Sequence, residues 1–194
     1  APQREVDFTV PTGNFGDIFA GYVAKRMGLP VRRLRIASNV NDILARTLST
    51  GIHEVREVHA TTSPSMDIQI SSNFERLLFE ASGRDASLVR GLMASLKQSG
   101  RYVLPDAVLA AIRNEFDAGR ADQEETAAAI RTAWREAGEL VDPHTAVALA
   151  VSDHELAEPT VPNVVLSTAH AAKFPDAVEA ACGVRPGLPS WLDG

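Results

Sequence analysis

The 194-residue chain has one cysteine, Cys182, so an internal disulfide is excluded and a soluble, reducing, cytoplasmic setting is expected. Lysine is nearly absent: of 19 basic residues all but Lys25, Lys97 and Lys173 are arginine, and they are scattered among 25 acids for a formal net charge of -6. Without a basic stripe, no nucleic acid is expected as a partner. No window approaches the roughly 18 apolar residues that a membrane helix needs, so no membrane is expected either. His53, His59, His144, His154 and His170 fall at no HExxH or Cys/His spacing, and no metal site is expected. An initiating methionine and an apolar signal core are also lacking. The opening Ala1-Pro2-Gln3-Arg4-Glu5 is what a chain processed or cut from something longer would present. What the chain does have is apolar substance: 45% of residues are hydrophobic, which excludes disorder and suffices for one or two ordinary cores.

Hydrophobic spacing lays out the order of elements. Val6, Phe8 and Val10 alternate with polar residues and run into Pro11-Thr12-Gly13-Asn14-Phe15-Gly16, a strand entering a glycine-containing turn. Ile18, Phe19, Tyr22, Val23 and Met27 then recur at helical spacing until Gly28 and Pro30 stop them. Leu34 and Ile36 predict a second strand, and Asn41-Asp42 opens a helix carrying Ile43, Leu44 and Leu48 to Gly51. Residues 53–70 are less periodic. Ser72-Asn73-Phe74-Glu75 reads as a capping box, and helices are predicted over 85–98, 105–116 and from Asp122 through Ala137. Asp142-Pro143 supplies an N-cap and a first-turn proline for Ala146 to Val151; Asn163 to Leu166 is a short buried strand, followed by a helix from Pro175 to Gly183.

Strands separated by helices imply an α/β layer with a mostly parallel sheet, because parallel neighbours need a crossover. Only three or four strands are visible, few for a complete doubly wound domain. The expected fold is therefore a partial, mostly parallel sheet with flanking helices and a helical insertion over about 72–140, the whole of 1–194 forming one portion of a larger protein.

The strand, Gly13-Asn14-Phe15-Gly16-Asp17, helix arrangement suits an anion. Glycines let backbone approach a ligand, and unpaired N–H groups at a helix start point toward it. The spacing matches neither the Walker loop nor the dinucleotide fingerprint. As a bare GxxG it serves equally as a plain tight turn.

Its neighbours add to that reading. Val10-Pro-Thr-Gly-Asn-Phe-Gly-Asp-Ile-Phe-Ala-Gly-Tyr-Val-Ala-Lys25 resembles the cofactor-phosphate loop and following helix of the threonine synthase family, pyridoxal-phosphate enzymes of fold type II. Four more blocks follow in the family's order. They are Ala37-Ser-Asn-Val-Asn-Asp-Ile-Leu44, Ser63-Pro-Ser-Met-Asp-Ile-Gln-Ile-Ser-Ser-Asn-Phe-Glu-Arg-Leu-Leu78, Val141-Asp-Pro-His-Thr-Ala-Val147 and Ser167-Thr-Ala-His-Ala-Ala-Lys-Phe174. Asp17, where asparagine is the easier neighbour of a phosphate, and Ala171, where proline is the pattern, depart from it.

The resemblance implies a larger enzyme that converts O-phospho-L-homoserine and water to L-threonine and phosphate, with pyridoxal phosphate as cofactor. Gly13, Asn14, Phe15, Gly16 and Asp17 would hold the cofactor phosphate, Asp17 through its backbone N–H. Thr168, or next Ser167, would meet the pyridine nitrogen; either hydroxyl could instead cap the following turn. No lysine here matches the family's Schiff-base segment, which is expected upstream of residue 1 with the N-terminal domain. A final strand and helix are expected beyond residue 194, and this chain alone is expected to be inactive. His144 and His170 sit in family-like blocks, yet bonding to nearby backbone explains them more simply. Ser63, Ser65, Asn73 and Arg76 are weaker candidates for a substrate phosphate. The competing classes are another fold-type II lyase, such as a serine or threonine deaminase, and a non-catalytic phosphate-binding module.

Overall fold

The computed structural model describes residues 4–154 and 160–192, the side chains of His154 and Leu192 excepted. Residues 1–3, 155–159 and 193–194 lie outside the described residues. The chain runs β1 (Val6–Pro11), α1 (Gly16–Arg26), β2 (Val31–Ser38), α2 (Ile43–Thr50), β3 (Ile52–Glu54), α3 (Phe74–Ala81), α4 (Ala86–Ser99) and β4 (Arg101–Val103). It continues with α5 (Asp106–Glu115), β5 (Phe116–Arg120), α6 (Gln123–Thr132), α7 (Pro143–His154), β6 (Asn163–Val165) and α8 (Pro175–Cys182).

Four strands form a parallel sheet in the order β5-β2-β1-β6, with Phe8 opposite Leu34 on one side and Val164 on the other. Leu34 and Ile36 of β2 face a core built with Phe15, Ile18, Tyr22, Ile43, Phe74, Ile112 and Phe116, which draws α1, α2, α3 and α5 onto that side. The neighbouring Ala37 faces a second core, where Ala146, Val147 and Val151 of α7 meet Ile130 of α6 and Val178 of α8. Successive strand residues point to opposite faces, so a sheet covered twice needs apolar residues at adjacent positions, as in β2. Among the described residues no helix is long and apolar enough to cross a membrane.

The α/β sheet with flanking helices agrees with the sequence reading. The segment 72–140 is mostly helical, but it also contains β4, paired antiparallel with β3, and β5, an edge strand of the main sheet. The helix expected to reach Phe116 ends at Glu115, and Phe116 turns to extended backbone to open β5. The capping box expected at Ser72 to Glu75 does not form: Asn73 precedes α3 with no side-chain cap, because Ser72 and Asn73 are turned toward Asn14. A capping box does form at Asp122 and Glu125, and Asp85 caps α4 through the amides of Ser87 and Leu88.

The candidate active-site crevice

The strand order decides where a ligand fits. From β1 the chain winds outward through β2 to β5, then returns to place β6 on the opposite side of β1. The connection leaving β1 goes to α1 on one face of the sheet, and the one leaving β6 goes to α8 on the other. Loops that part in this way open a crevice at the carboxyl ends of the strands, the usual ligand position in open parallel sheets. A cavity of about 350 Å³ lies there, bordered by Gly13, Asn14, Phe15, Gly16 and Asp17 after β1 and by Thr168 after β6. The six residues singled out by sequence thus meet at one place; Ser167 does not border it.

The loop borders the cavity, and its carbonyls are held by neighbouring segments. Thr12 pins its entry, donating its N–H to Ala37 O at 2.8 Å and its hydroxyl to Val10 O at 2.6 Å. Gly13 O accepts from Ser71 Oγ at 2.8 Å, and Asn14 O accepts from both the amide and the side chain of Asn73. With those carbonyls drawn to residues 71–73, none of the N–H groups of residues 13–17 donates to a described protein acceptor. Phe15 enters α1 in the left-handed conformation, φ 65° and ψ 15°, at a cost of about 1–2 kcal/mol for a residue with a Cβ. Its ring is buried against Phe74 and Phe116, and this packing holds the turn. Gly13 is required by space: a Cβ there would stand 2.6 Å from Ser65 O. Asp17 is in the exposed first turn of α1, where a carboxylate is favoured by the helix dipole.

The other walls come from segments without periodicity. Ser65 and Met66, in the short turn Pro64–Met66, stand across from Gly13. That turn is tied to β2 by a buried amide network, in which Asn39 Nδ2 donates to Ser63 Oγ at 2.9 Å and to Asp67 Oδ1 at 2.7 Å. Ser63 is therefore part of this network, Asn73 anchors the loop, and Arg76 borders a separate groove with Phe19 and Arg90. None of these three lines the crevice, whereas Ser65 does.

His144 also borders the crevice, but both ring nitrogens are engaged inside the fold: Nδ1 with Asp142 Oδ1 at 2.7 Å, and Nε2 accepting from the Ser65 amide at 3.2 Å. Burial pushes the Asp142 carboxyl up, but the hydrogen bonds from His144 and Thr145 outweigh it and hold the group below the ordinary carboxylate range. His170 Nδ1 accepts from the Ala172 amide, a local cap of the turn Ala171–Lys173. Of the lysines, Lys25 is paired with Glu115 and bonded to Arg32 O, and Lys97 is exposed on the last turn of α4. Lys173 lines the crevice beside Phe174. Lys173 and Met66 fall within the blocks 167–174 and 63–78, but neither their spacing nor their residue type marks them as site residues.

An open parallel sheet whose crevice is bordered by a glycine loop and by the loop of the strand across the switch point defines the class: the α/β architecture of the fold-type II pyridoxal-phosphate enzymes. A threonine deaminase from T.th. has this fold over 85% of the chain and 46% of its own, with a TM-score of 0.53 at 15% identity, a likeness of fold alone. The family is narrower. A profile described as "Threonine synthase, C-terminal" matches residues 145–194. The threonine synthase of Pseudomonas aeruginosa is 47% identical over 99% of this chain and 41% of its own length. The crystal structure of PLP-bound threonine synthase from Brucella melitensis superposes with a TM-score of 0.96 at 64% identity, again over 99% of this chain and 41% of that one. The chain belongs to the threonine synthase family, in its C-terminal region, and spans about two fifths of the length of the relatives it matches.

Proposed function

We propose that this chain provides the cofactor-phosphate cup and the ring-nitrogen partner of an enzyme that converts O-phospho-L-homoserine and water to L-threonine and phosphate. The observation that carries the reading is the meeting of the free amides of Gly13 to Asp17 with Thr168 in one crevice at the switch point. Pyridoxal phosphate suits that arrangement because it is a rigid ring with an anion at one end and a heterocyclic nitrogen at the other. The amides at the start of α1 would take the phosphate oxygens. The Thr168 hydroxyl, which bonds to none of the described residues, can donate or accept and so would meet the nitrogen without demanding a full pyridinium. When bound, the cofactor supplies an electron sink for carbanion chemistry.

The chain's own residues bind, orient and exclude water. Buried Phe15 and Ile18 form an apolar floor under the amides, which strengthens their pull on an anion. Lys173 lines the same crevice and would add a positive charge near the phosphate. The Schiff-base lysine and the second wall over the substrate belong, in this reading, to a further domain of the same polypeptide upstream of residue 1. A serine or threonine deaminase is disfavoured because that likeness is confined to the fold at 15% identity, whereas the likeness to a threonine synthase reaches 47% identity over 99% of the chain.

Equilibrium binding to the chain of pyridoxal phosphate and of phosphate-free pyridoxal tests the cup. Binding that needs the phosphate and is displaced by inorganic phosphate is the expected result. Equal affinity for the two compounds overturns it.

A further inference from the structure

We propose that Asp142 is a positioning residue that sets the two facing walls of the crevice relative to one another, through Thr145 to Thr168 and through His144 to Ser65. The inference rests on the crevice being the cofactor site. Its basis is the set of four hydrogen bonds that converge on one carboxylate with no solvent exposure. Asp142 Oδ1 accepts from the His144 amide at 2.9 Å and from His144 Nδ1 at 2.7 Å; Oδ2 accepts from the Thr145 amide at 3.3 Å and from Thr145 Oγ1. The two backbone bonds are an ordinary cap for α7. The two side-chain bonds do something further, because each continues to a wall.

A carboxylate only accepts, so the Thr145 hydroxyl proton is committed to Asp142 and its oxygen keeps a lone pair for the Thr168 amide, 3.3 Å away. The same reasoning fixes the imidazole. Nδ1 carries the proton given to Asp142, and Nε2 accepts from the Ser65 amide at 3.2 Å. Neither ring nitrogen is left to exchange a proton with a ligand, so His144 is a strut between Asp142 and Ser65. Phe174 packs on the strut with ring centroids 4.8 Å apart, and an isolated antiparallel bridge between Val141 and His170 ties the segment before α7 to the one after Thr168.

Both walls need this tether. Thr168 and Ser65 are exposed residues in loops, and a loop group holds a rigid ring in place only if its neighbours fix it. Ser65 O also faces Gly13 at a separation that leaves no room for a Cβ, so Asp142 is linked through Ser65 to the phosphate loop.

Residue-resolved amide exchange on the 194-residue chain, together with equilibrium binding of pyridoxal phosphate, tests the assignment. Thr145→Val should speed exchange at Thr168 by at least about tenfold and leave Ser65 unchanged, as expected for losing one hydrogen bond. His144→Phe should do the reverse, and Asp142→Asn should speed both. The amides of Thr12 and Leu166, bonded to Ala37 O and Thr9 O, should stay protected in all three variants. Thr145→Ser should restore the wild-type pattern. Exchange that rises at all four amides together, or at none, overturns the proposal, since a general loss of stability cannot select single walls. Cofactor affinity in Asp142→Asn should fall at least about fivefold; unchanged affinity alongside altered exchange also overturns it. If the wild-type chain itself fails to bind pyridoxal phosphate, the proposed function falls, and the exchange pattern alone decides the role of Asp142.

Discussion

Phe15 meets Phe74 edge to face, ring centroids 5.3 Å apart, directly behind the amides of the cup. This contact ties the first turn of α1 to α3, so the conformation of a ligand-facing loop depends on packing in the core. Phe74→Ala should lower stability by about 3–5 kcal/mol, the usual cost of emptying a buried aromatic site. Affinity for pyridoxal phosphate should fall as well, because Phe15 then loses the contact that offsets its positive φ. Denaturant unfolding and ligand titration of the variant check both; full affinity in a destabilised chain would uncouple loop from core.

Gly13 and Gly16 look alike in sequence and differ in space. A Cβ at Gly13 collides with Ser65 O at 2.6 Å, whereas at Gly16 the nearest atom outside its immediate neighbours is Asn73 Nδ2 at 3.9 Å. Gly13→Ala should therefore push the two walls apart and weaken phosphate-dependent binding by at least about tenfold. Gly16→Ala should alter stability by less than about 1 kcal/mol and weaken binding less than Gly13→Ala does, because no wall has to move. Side-by-side titrations with inorganic phosphate decide it, and equal losses in the two variants would contradict the geometry.

The same contrast marks what the sequence could convey. The β1 loop was legible because a strand, two glycines and a helix start are contiguous, and local backbone rules place their amides. Thr168 was assignable to the same crevice from the blocks resembling threonine synthase, since a rigid ring needs partners at both ends. The strand β5 was not legible. Phe116-Asp-Ala-Gly-Arg120 is short and polar with an interior glycine, and its place is set by α7, whose Val151 Cγ1 would lie 2.6 Å from any Cβ at Gly119. Ser72 and Glu75 have the spacing of a capping box, but tertiary bonds to Asn14 claim Ser72 and Asn73. Lys173 and Met66 reach the crevice from unpatterned segments, where neither period nor turn chemistry speaks.

His53 gives the fold a pH dependence. Its ring is stacked between Phe74 and Tyr102, with centroids 5.6 and 4.6 Å away, and Nδ1 donates to Thr47 Oγ1, whose own proton goes to Ile43 O. Burial, with help from the Arg46 charge, lowers its pKa from 6.5 to about 4. The unfolded chain therefore binds this proton more readily, and stability present above pH 6.5 is lost as pH falls toward 4. The contribution amounts to about 3 kcal/mol at most. His53→Phe, which keeps the stack, should flatten the wild-type-minus-variant difference in unfolding free energy below pH 4 and above pH 6.5, with a slope only between. A difference independent of pH would mean that His53 titrates normally.

Activity is the most demanding expectation. The cup can bind an anion with the residues it has, but covalent activation of the substrate needs a Schiff-base lysine and a closed, dry cleft. Lys25 is committed to Glu115, Lys97 is far along α4, and Lys173, which lines the crevice, makes no side-chain hydrogen bond or ion pair with the described residues. The 194-residue chain incubated with pyridoxal phosphate and O-phospho-L-homoserine should form no threonine. After borohydride reduction, peptide mapping should find no stoichiometric label on any single lysine. A longer polypeptide that supplies such a lysine should turn over, and Thr168→Ala in it should slow turnover without preventing Schiff-base formation. Threonine production by the short chain, or complete labelling of Lys173, would place the catalytic lysine inside this crevice and overturn the division of labour proposed for the two parts of the enzyme.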